Sequence, residues 1–323
     1  MPLKYDPEYL KCFEPLIPAL ANRKELTLDS IVSSRKVREA GVTAFLDRIP
    51  DEPDVTQTYY HAEAPDGHQV PILGLVKRQS EPAAPGPAML HFHGGGLIMG
   101  TAQMYAKSLA RLVSQTSIPI FTVDYRLAPE HTGTTLVEDG YAALCWLQKN
   151  AHTHNIDPTR IALYGQSAGG GLAVGVALMA RDRNLQPPLA KQILVYPMLD
   201  DQNMTANDAV EPLAFWKTAD NVVAWTSLLG QEKAGKPDAD VSPYAAPARA
   251  KSVAGLPPAY LDVGGLDIFR DETIKYATRL LAENIECELH VYPGLPHAFE
   301  LVAPNISAAK RADENRLKAM QAI

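Results

Sequence analysis

A chain of 323 residues, 46% hydrophobic and 21% charged, holds ample apolar material for one large core and none of the bias of a disordered or low-complexity protein. Its net charge of −7, with acidic and basic residues interspersed, leaves no basic face for nucleic acid and no polybasic membrane tag. Three widely spaced cysteines, Cys12, Cys145 and Cys287, argue against a disulfide framework and for a reducing, cytoplasmic location. The charged, proline-containing start lacks the apolar stretch of a signal peptide, and no apolar run reaches the ~18 residues that span a bilayer, so a soluble protein is expected.

Residues 1–50 read as a helical appendage, interrupted by prolines, in which Thr27 or Asp29 caps a helix. From residue 55 the apolar period changes to two: "VTQTYYHAEA", the turn "PDGH" and "QVPILGLVKR" predict an antiparallel hairpin, followed by the Pro/Gly loop "SEPAAPGP". Short apolar strands then alternate with helical segments: "AMLHFH", a helix near 102–116, "IPIFTVDY", a helix near 135–150, "RIALYG", a helix near 168–184, "KQILVYP", "PAYLDVG", a helix near 270–284, and "ECELHVYPG". Strands apolar on both faces and separated by helices predict a mostly parallel sheet covered on both sides. The alternation breaks once, between "LVYPMLDD" and "PPAYLDV". There "EPLAFWKTADNVVAWTSLLG" reads as helical, carries Phe215, Trp216 and Trp225, and suits a lid better than a spacer.

The strongest local signal is Gly165-Gln166-Ser167-Ala168-Gly169, a G-x-S-x-G pattern between a strand and an apolar helix. A sharp strand-to-helix turn holds such a serine in strained dihedrals, and flanking glycines tolerate the crowding, so Ser167 is the candidate nucleophile. A serine hydroxyl needs a base, which in this architecture follows later in the chain with a carboxylate between. Only His290 and His297 lie downstream of Ser167. His290 sits inside an alternating strand, whereas His297 lies in a Gly/Pro loop after it, where a rigid scaffold can present a catalytic side chain. Among the acids, Asp262 belongs to a buried strand, and Asp271 and Glu272 occupy a helix's first turn, where the dipole alone favours them. Asp267, beyond the strand's C-terminal end, is the preferred orienting acid, with Asp271 the fallback.

Acyl transfer also needs donors for an oxyanion. The glycines of "HFHGGGLIMG" follow a strand, so the N–H groups of Gly94 and Gly95, with that of Ala168, are the expected donors, and Gly96 has a conformational role. His91 and His93 share a strand face, but two ligands with no carboxylate or cysteine nearby make a weak metal site, and no metal is expected. His152 and His154 read as residues of a solvated loop. Phe215 and Trp216 are candidates for lining an apolar substrate pocket.

Taken in order, "HGGG" (93–96), "YRLAPE" (125–130), "GQSAGG" (165–170), "DIFRDE" (267–272) and "HAF" (297–299) resemble the hormone-sensitive-lipase-like group of the α/β-hydrolase fold, the bacterial family IV-type esterases. The resemblance covers roughly residues 55–310. It implies an α/β fold with an eight-stranded, mostly parallel sheet, and a cap built from residues 1–50 and an insertion at about 201–250 of a core spanning 51–323. It also implies cofactor-free hydrolysis of carboxylic esters, of short to medium acyl chains or of a small acylated metabolite, the triad Ser167, Asp267 and His297, and the oxyanion hole Gly94, Gly95 and Ala168. An amidase, formamidase or lactonase with the same triad, and a non-catalytic small-molecule receptor, are the alternatives it leaves. A homodimer through the edge strand "ECELHVYP" is the assembly it suggests, although Glu286 and Glu288 would charge that edge. Three departures bear on substrate choice: Gln166 stands where the group usually has an acid, "HTGTTLVED" replaces a proline-rich stretch after "YRLAPE", and Leu97 replaces an aromatic residue after the glycines.

Overall fold

The period-two and helical patterns from Val55 onward assemble into one sheet of eight strands, seen in a computed structural model that describes residues 2–21, 24–78 and 84–323. The strands are β1 (Val55–Glu63), β2 (Gln69–Lys77), β3 (Gly86–Phe92), β4 (Ile120–Val123), β5 (Ile156–Gln166), β6 (Lys191–Val195), β7 (Ala259–Gly264) and β8 (Cys287–Tyr292). Their order is β1-β2-β4-β3-β5-β6-β7-β8, with β1 and β2 antiparallel and every pairing from β4 to β8 parallel. The predicted hairpin closes where Ala64 N–H donates to His68 O at 2.8 Å. Of the predicted loop at 80–87, residues 80–83 lie outside the described residues.

Because successive side chains leave a strand on opposite sides, each central strand feeds two cores. Ile72, Leu90, Phe92, Phe121, Leu163, Leu194 and Leu261 join the core on one face, covered by α5 (Thr135–Lys149), α6 (Ala168–Asp182) and α8 (Arg270–Ala282). Leu73, Met89, Ile120, Ala162, Tyr164, Ile193 and Tyr260 join the other, under α4 (Ala102–Thr116) and α10 (Ser307–Gln321). All six residues of β7 are buried, whereas β1 and β8 at the sheet edges are mostly accessible.

The N-terminal segment forms α1 (Pro7–Phe13), α2 (Ile17–Ala21) and α3 (Ile31–Leu46). Asp6 caps α1, its carboxylate accepting from Glu8 N–H at 2.8 Å and Tyr9 N–H at 3.1 Å. Thr27, not Asp29, is the capping residue before α3: it forms a capping box with Ser30 on the short 3₁₀ turn Leu28–Ser30. In the insertion, helix is confined to 3₁₀ turns at Glu211–Leu213 and Pro247–Arg249 and to α7 (Thr218–Leu229). The expected continuous helix breaks at 214–217. There Glu211 turns back to accept a hydrogen bond from Thr218 Oγ1 at 2.6 Å, satisfying the start of α7 instead of prolonging a helix. A short α9 (Phe299–Val302) follows β8 and leads to α10.

His154 does not sit in a solvated loop: its ring is half-buried against Tyr60, Phe121 and Trp146, with centroids 5.0, 5.2 and 5.6 Å away. Burial lowers its pKa accordingly. Cys12, Cys145 and Cys287 are all free, and burial pushes the Cys287 thiol up to about 11. Among the described residues no helix is long and apolar enough to cross a membrane.

Candidate active site

β5 runs directly into α6 through Ser167, which takes φ 56° and ψ −123°, a backbone state that non-glycine residues adopt only where their surroundings enforce it. The enforcement is backbone contact. A Cβ on Gly165 would lie 2.2 Å from Gly169 O, and one on Gly169 only 2.0 Å from Phe92 O, so glycine is required on both sides of the turn. Ser167 N–H donates to Val195 O at 2.9 Å, which anchors the turn to β6.

His297 enters from the loop between β8 and α9, and Asp267 from the turn after β7. The Ser167 hydroxyl lies 2.9 Å from His297 Nε2, and His297 Nδ1 lies 2.6 Å from Asp267 Oδ2. A carboxylate oxygen only accepts, so Nδ1 carries the proton and Nε2 is left to accept from Ser167 Oγ. Asp267 Oδ1 accepts from Phe269 N–H at 2.9 Å, which fixes the carboxylate plane. Asp267 is 1% exposed, His297 6% and Ser167 9%, an accessibility that rises toward the hydroxyl. The imidazole is held edge-on between Tyr196 and Phe269, with centroids 4.5 and 5.2 Å away. Tyr196 OH in turn donates to Glu300 Oε1 at 2.6 Å.

The competing residues are engaged elsewhere. Buried Asp262 takes two hydrogen bonds from Arg316, at 2.6 and 2.8 Å. Asp271 is exposed and pairs with Arg270 at 2.6 Å. Glu272 is buried, accepts from Leu199 N–H at 2.6 Å and Asn203 Nδ2 at 2.9 Å, and is pushed well above the usual carboxylate range by burial. His290 meets Glu288 at 2.7 Å on the sheet edge.

The glycine run lies beside the serine. A Cβ built on Gly94 would stand 3.4 Å from Ser167 Cβ and 3.3 Å from Gln166 O. Gly95 has φ +128° with a Cβ position only 2.1 Å from Met99 O, and Gly96 has φ +61° and lies under the Trp216 ring, where an added Cβ would stand 2.9 Å from the nearest ring carbon. His93 Nδ1–H donates to Gly94 O at 2.9 Å, its ring stacked between Tyr105 and Tyr125. His91 reaches Thr122 Oγ1 at 2.8 Å and Gln166 Oε1 at 2.7 Å, while Gln166 Nε2 donates to Tyr164 OH at 2.7 Å. Burial outweighs the Gln166 hydrogen bond and holds the His91 pKa down to about 3, so the ring is neutral.

Leu97, at φ 65° and 4% exposed, lines a narrow apolar cleft with Ala168, Leu172, Met198, Trp225 and Leu228. Its free volume is about 10 Å³, close to that of one water-sized sphere. Trp216 therefore reaches the glycine run, but Phe215 turns away to pack edge-on against Phe13, 6.4 Å between centroids. Trp225 takes the position by the cleft, and its only sequence signal was membership of the aromatic trio. A larger, polar cavity of about 430 Å³ opens behind Asp267, lined by Asp200, Asn203, Thr218 and Arg270, but neither Ser167 nor His297 borders it. Among the described residues no three His, Cys, Asp or Glu side chains are grouped to hold a metal ion.

Comparison with known proteins gives the family of the fold. Residues 89–301 match a family model described as the alpha/beta hydrolase fold. Esterase LipI of Mycobacterium tuberculosis is 35% identical over 243 residues, 74% of either chain, and an ethyl acetate hydrolase of Pseudomonas putida is 28% identical over 84% of this chain and 83% of its own. Among solved structures a bacterial heroin esterase superposes with a TM-score of 0.86 at 35% identity, over 99% of this chain and 98% of its own. The chain belongs to the α/β-hydrolase-fold family, in its hormone-sensitive-lipase-like group.

Proposed function

We propose that this protein is a serine carboxylic ester hydrolase that works through an acyl-enzyme on Ser167 and prefers small acyl groups. The observation that carries the reading is the buried line from Ser167 Oγ to His297 Nε2 at 2.9 Å and from His297 Nδ1 to Asp267 Oδ2 at 2.6 Å. Ester hydrolysis is the activity named for several of its relatives, among them esterase LipI and the ethyl acetate hydrolase.

Ser167 Oγ attacks the ester carbonyl as its proton passes to His297 Nε2, and Asp267 stabilises the resulting imidazolium through Nδ1. Negative charge collects on the former carbonyl oxygen, where the N–H groups of Gly94, Gly95 and Ala168 receive it. Collapse breaks the carbonyl–alkoxy bond, and the leaving alcohol takes the Nε2 proton. A water molecule then gives its proton to Nε2 and attacks the acyl carbon, releasing the acid and restoring Ser167.

With its carbonyl oxygen at those donors, the substrate's acyl group is directed past Ala168 toward the apolar cleft that Ala168 and Leu97 edge, which Ser167 and His297 do not themselves border and which has about 10 Å³ to spare. Room for one water-sized group favours the smallest acyl groups, and a longer chain would need the cleft to open. Residues 1–50 and about 201–250 serve in this reading as a cap over the core, consistent with Trp216 of the insertion lying on Gly96. A cytoplasmic location accords with three free cysteines, and a homodimer through β8 with the 39% exposure of Val291 on that edge. Size-exclusion chromatography of wild type and Val291→Lys tests the last point: the substitution should yield a monomer.

The test of the chemistry is turnover of p-nitrophenyl acetate by wild type and Ser167→Ala. The account expects the variant to lose about 10⁴-fold or more in kcat with the fold intact. Wild-type turnover in the variant would overturn it.

A further inference from the structure

Tyr125 to Glu130, the "YRLAPE" stretch, takes no part in the chemistry above, yet it is fastened to the glycine loop. Tyr125 OH donates to His93 O at 2.7 Å and its ring stacks on His93 at 4.2 Å between centroids. Ala128 N–H donates to Leu97 O at 2.9 Å. Arg35, on α3 of the N-terminal segment, joins both stretches: its Nε–H donates to Ile98 O at 2.7 Å and its Nη2 to Ala128 O at 3.1 Å. The same guanidinium grips Glu130 with two parallel bonds of 2.7 Å. One turn further along α3, Glu39 Oε1 accepts from Gly100 N–H at 2.9 Å.

These contacts reach the main chain of the loop, not its side chains, and the loop needs them. Gly95, Gly96, Leu97 and Gly100 all have positive φ, at 128°, 61°, 65° and 104°. Leu97 tolerates that state only when neighbouring contacts over-determine it. The intrinsic preference of such a glycine-rich loop does not fix the direction of its N–H groups, whereas oxyanion stabilisation depends on donors pre-aimed to within a fraction of an ångström. The Arg35 fork is suited to the task because a planar guanidinium satisfies a carboxylate bidentately and still has donors for two carbonyls.

We propose that Arg35 and Glu39 are positioning residues: from α3 they clamp the 97–100 stretch and so aim the Gly94 and Gly95 N–H groups at the oxyanion of the Ser167 reaction. The inference rests on the reading of Ser167, Gly94 and Gly95 given above. It assigns the N-terminal segment a part in transition-state stabilisation as well as in covering the site. Any displacement of α3 would loosen the oxyanion loop, so full activity requires the helix in place.

The test compares Arg35→Gln, Arg35→Lys, Glu39→Ala and Glu39→Gln with wild type. Active sites are counted with a fluorophosphonate probe, kcat and KM are measured on p-nitrophenyl acetate, and Ki is measured for an alkyl trifluoromethyl ketone, whose hemiketal oxyanion occupies the same donors. Arg35→Gln and Glu39→Ala should lower kcat per titrated site about 10- to 100-fold with KM changed less than about threefold, and weaken the ketone by a similar factor. Glu39→Gln keeps an acceptor for Gly100 N–H and should restore most of the loss, and Arg35→Lys should lie between. The proposal is overturned if kcat per titrated site stays at the wild-type value, if KM rises while kcat holds, or if ketone affinity does not follow kcat. Should Arg35→Gln fail to fold, the Glu39 pair carries the same test. Failure of the underlying reading looks different: the wild type itself would be neither labelled by the fluorophosphonate nor inhibited by the ketone.

Discussion

The nucleophile turn and the oxyanion loop meet at the candidate active site, but different contacts hold them in place. Around Ser167 the strands and α6 approach backbone to backbone: added Cβ atoms on Gly165, Gly169 and Gly264 would lie 2.2, 2.0 and 2.2 Å from carbonyl oxygens. α3 instead reaches the oxyanion loop through long side chains, Arg35 to Ile98 O and Glu39 to Gly100 N–H, with Arg38 3.7 Å from Asp220. Buried Ile31 and the Asp6 N–H bond to Gly294 O anchor the N-terminal segment to the core. Val32 and Val37 of α3 are 55% and 76% exposed. Close packing transmits any volume change, whereas a side-chain clamp can be undone one bond at a time. Substitutions in the core should therefore affect fold and activity together, and substitutions of the clamp should separate them.

The largest effect should come from Gly169→Ala, which forces a methyl against Phe92 O and should cost about 3 kcal/mol or more. Thermal melts and active-site titration should fall together, and an unchanged melt would break the core half of the comparison. Next is the pH dependence of stability. His91 has a native pKa of about 3 against an ordinary 6.5, mainly from burial, with His93 also opposing its charge and Tyr105 and Tyr164 packed beside it. The unfolded chain therefore binds the proton first. The stability His91 contributes is intact above pH ~6.5 and is lost as pH falls toward ~3, by several kcal/mol in all. Replacing His91 with Gln should flatten the fall in melting temperature over that window, and parallel slopes would contradict the assignment.

A smaller, purely functional effect is expected of Leu97→Ala, which widens the cleft beside Ala168. The ratio of kcat/KM for p-nitrophenyl hexanoate over acetate should rise about tenfold, and a constant ratio would remove Leu97 from the acyl site. The smallest is Gln166→Glu. It places a carboxylate on His91 Nε2, one residue before the nucleophile, and favours protonation of a ring that is now neutral. The pH–rate profile should shift, and superimposable profiles would show that the neutral amide has no electrical role.

Much of this was legible in the chain because the constraints are local. Period-two strands, amphipathic helices and a strand–Gly-x-Ser-x-Gly–helix turn each impose residue types within a few positions, and the eight strands appear close to their expected places. Ser167, Asp267 and His297 were legible through their order, each following a strand of its own, β5, β7 and β8. What escaped depends on distant partners. The opposite turns of Phe215 and Trp216 follow from Phe13 and Gly96, and the packing of His154 from Tyr60 and Phe121. Arg35 is 63 residues from Ile98 and 95 from Glu130, so no short motif marks it. The break at 214–217 came from Glu211 capping α7, a side-chain competition that apolar periodicity does not register.

The central claim is that Ser167 is the activated nucleophile, and the most direct measurement is intact-protein and peptide mass spectrometry after brief exposure to a fluorophosphonate at neutral pH. The account predicts one adduct per chain on the peptide containing Ser167, and none in Ser167→Ala. A wild-type protein that stays unlabelled, or carries the adduct on another residue, would contradict it.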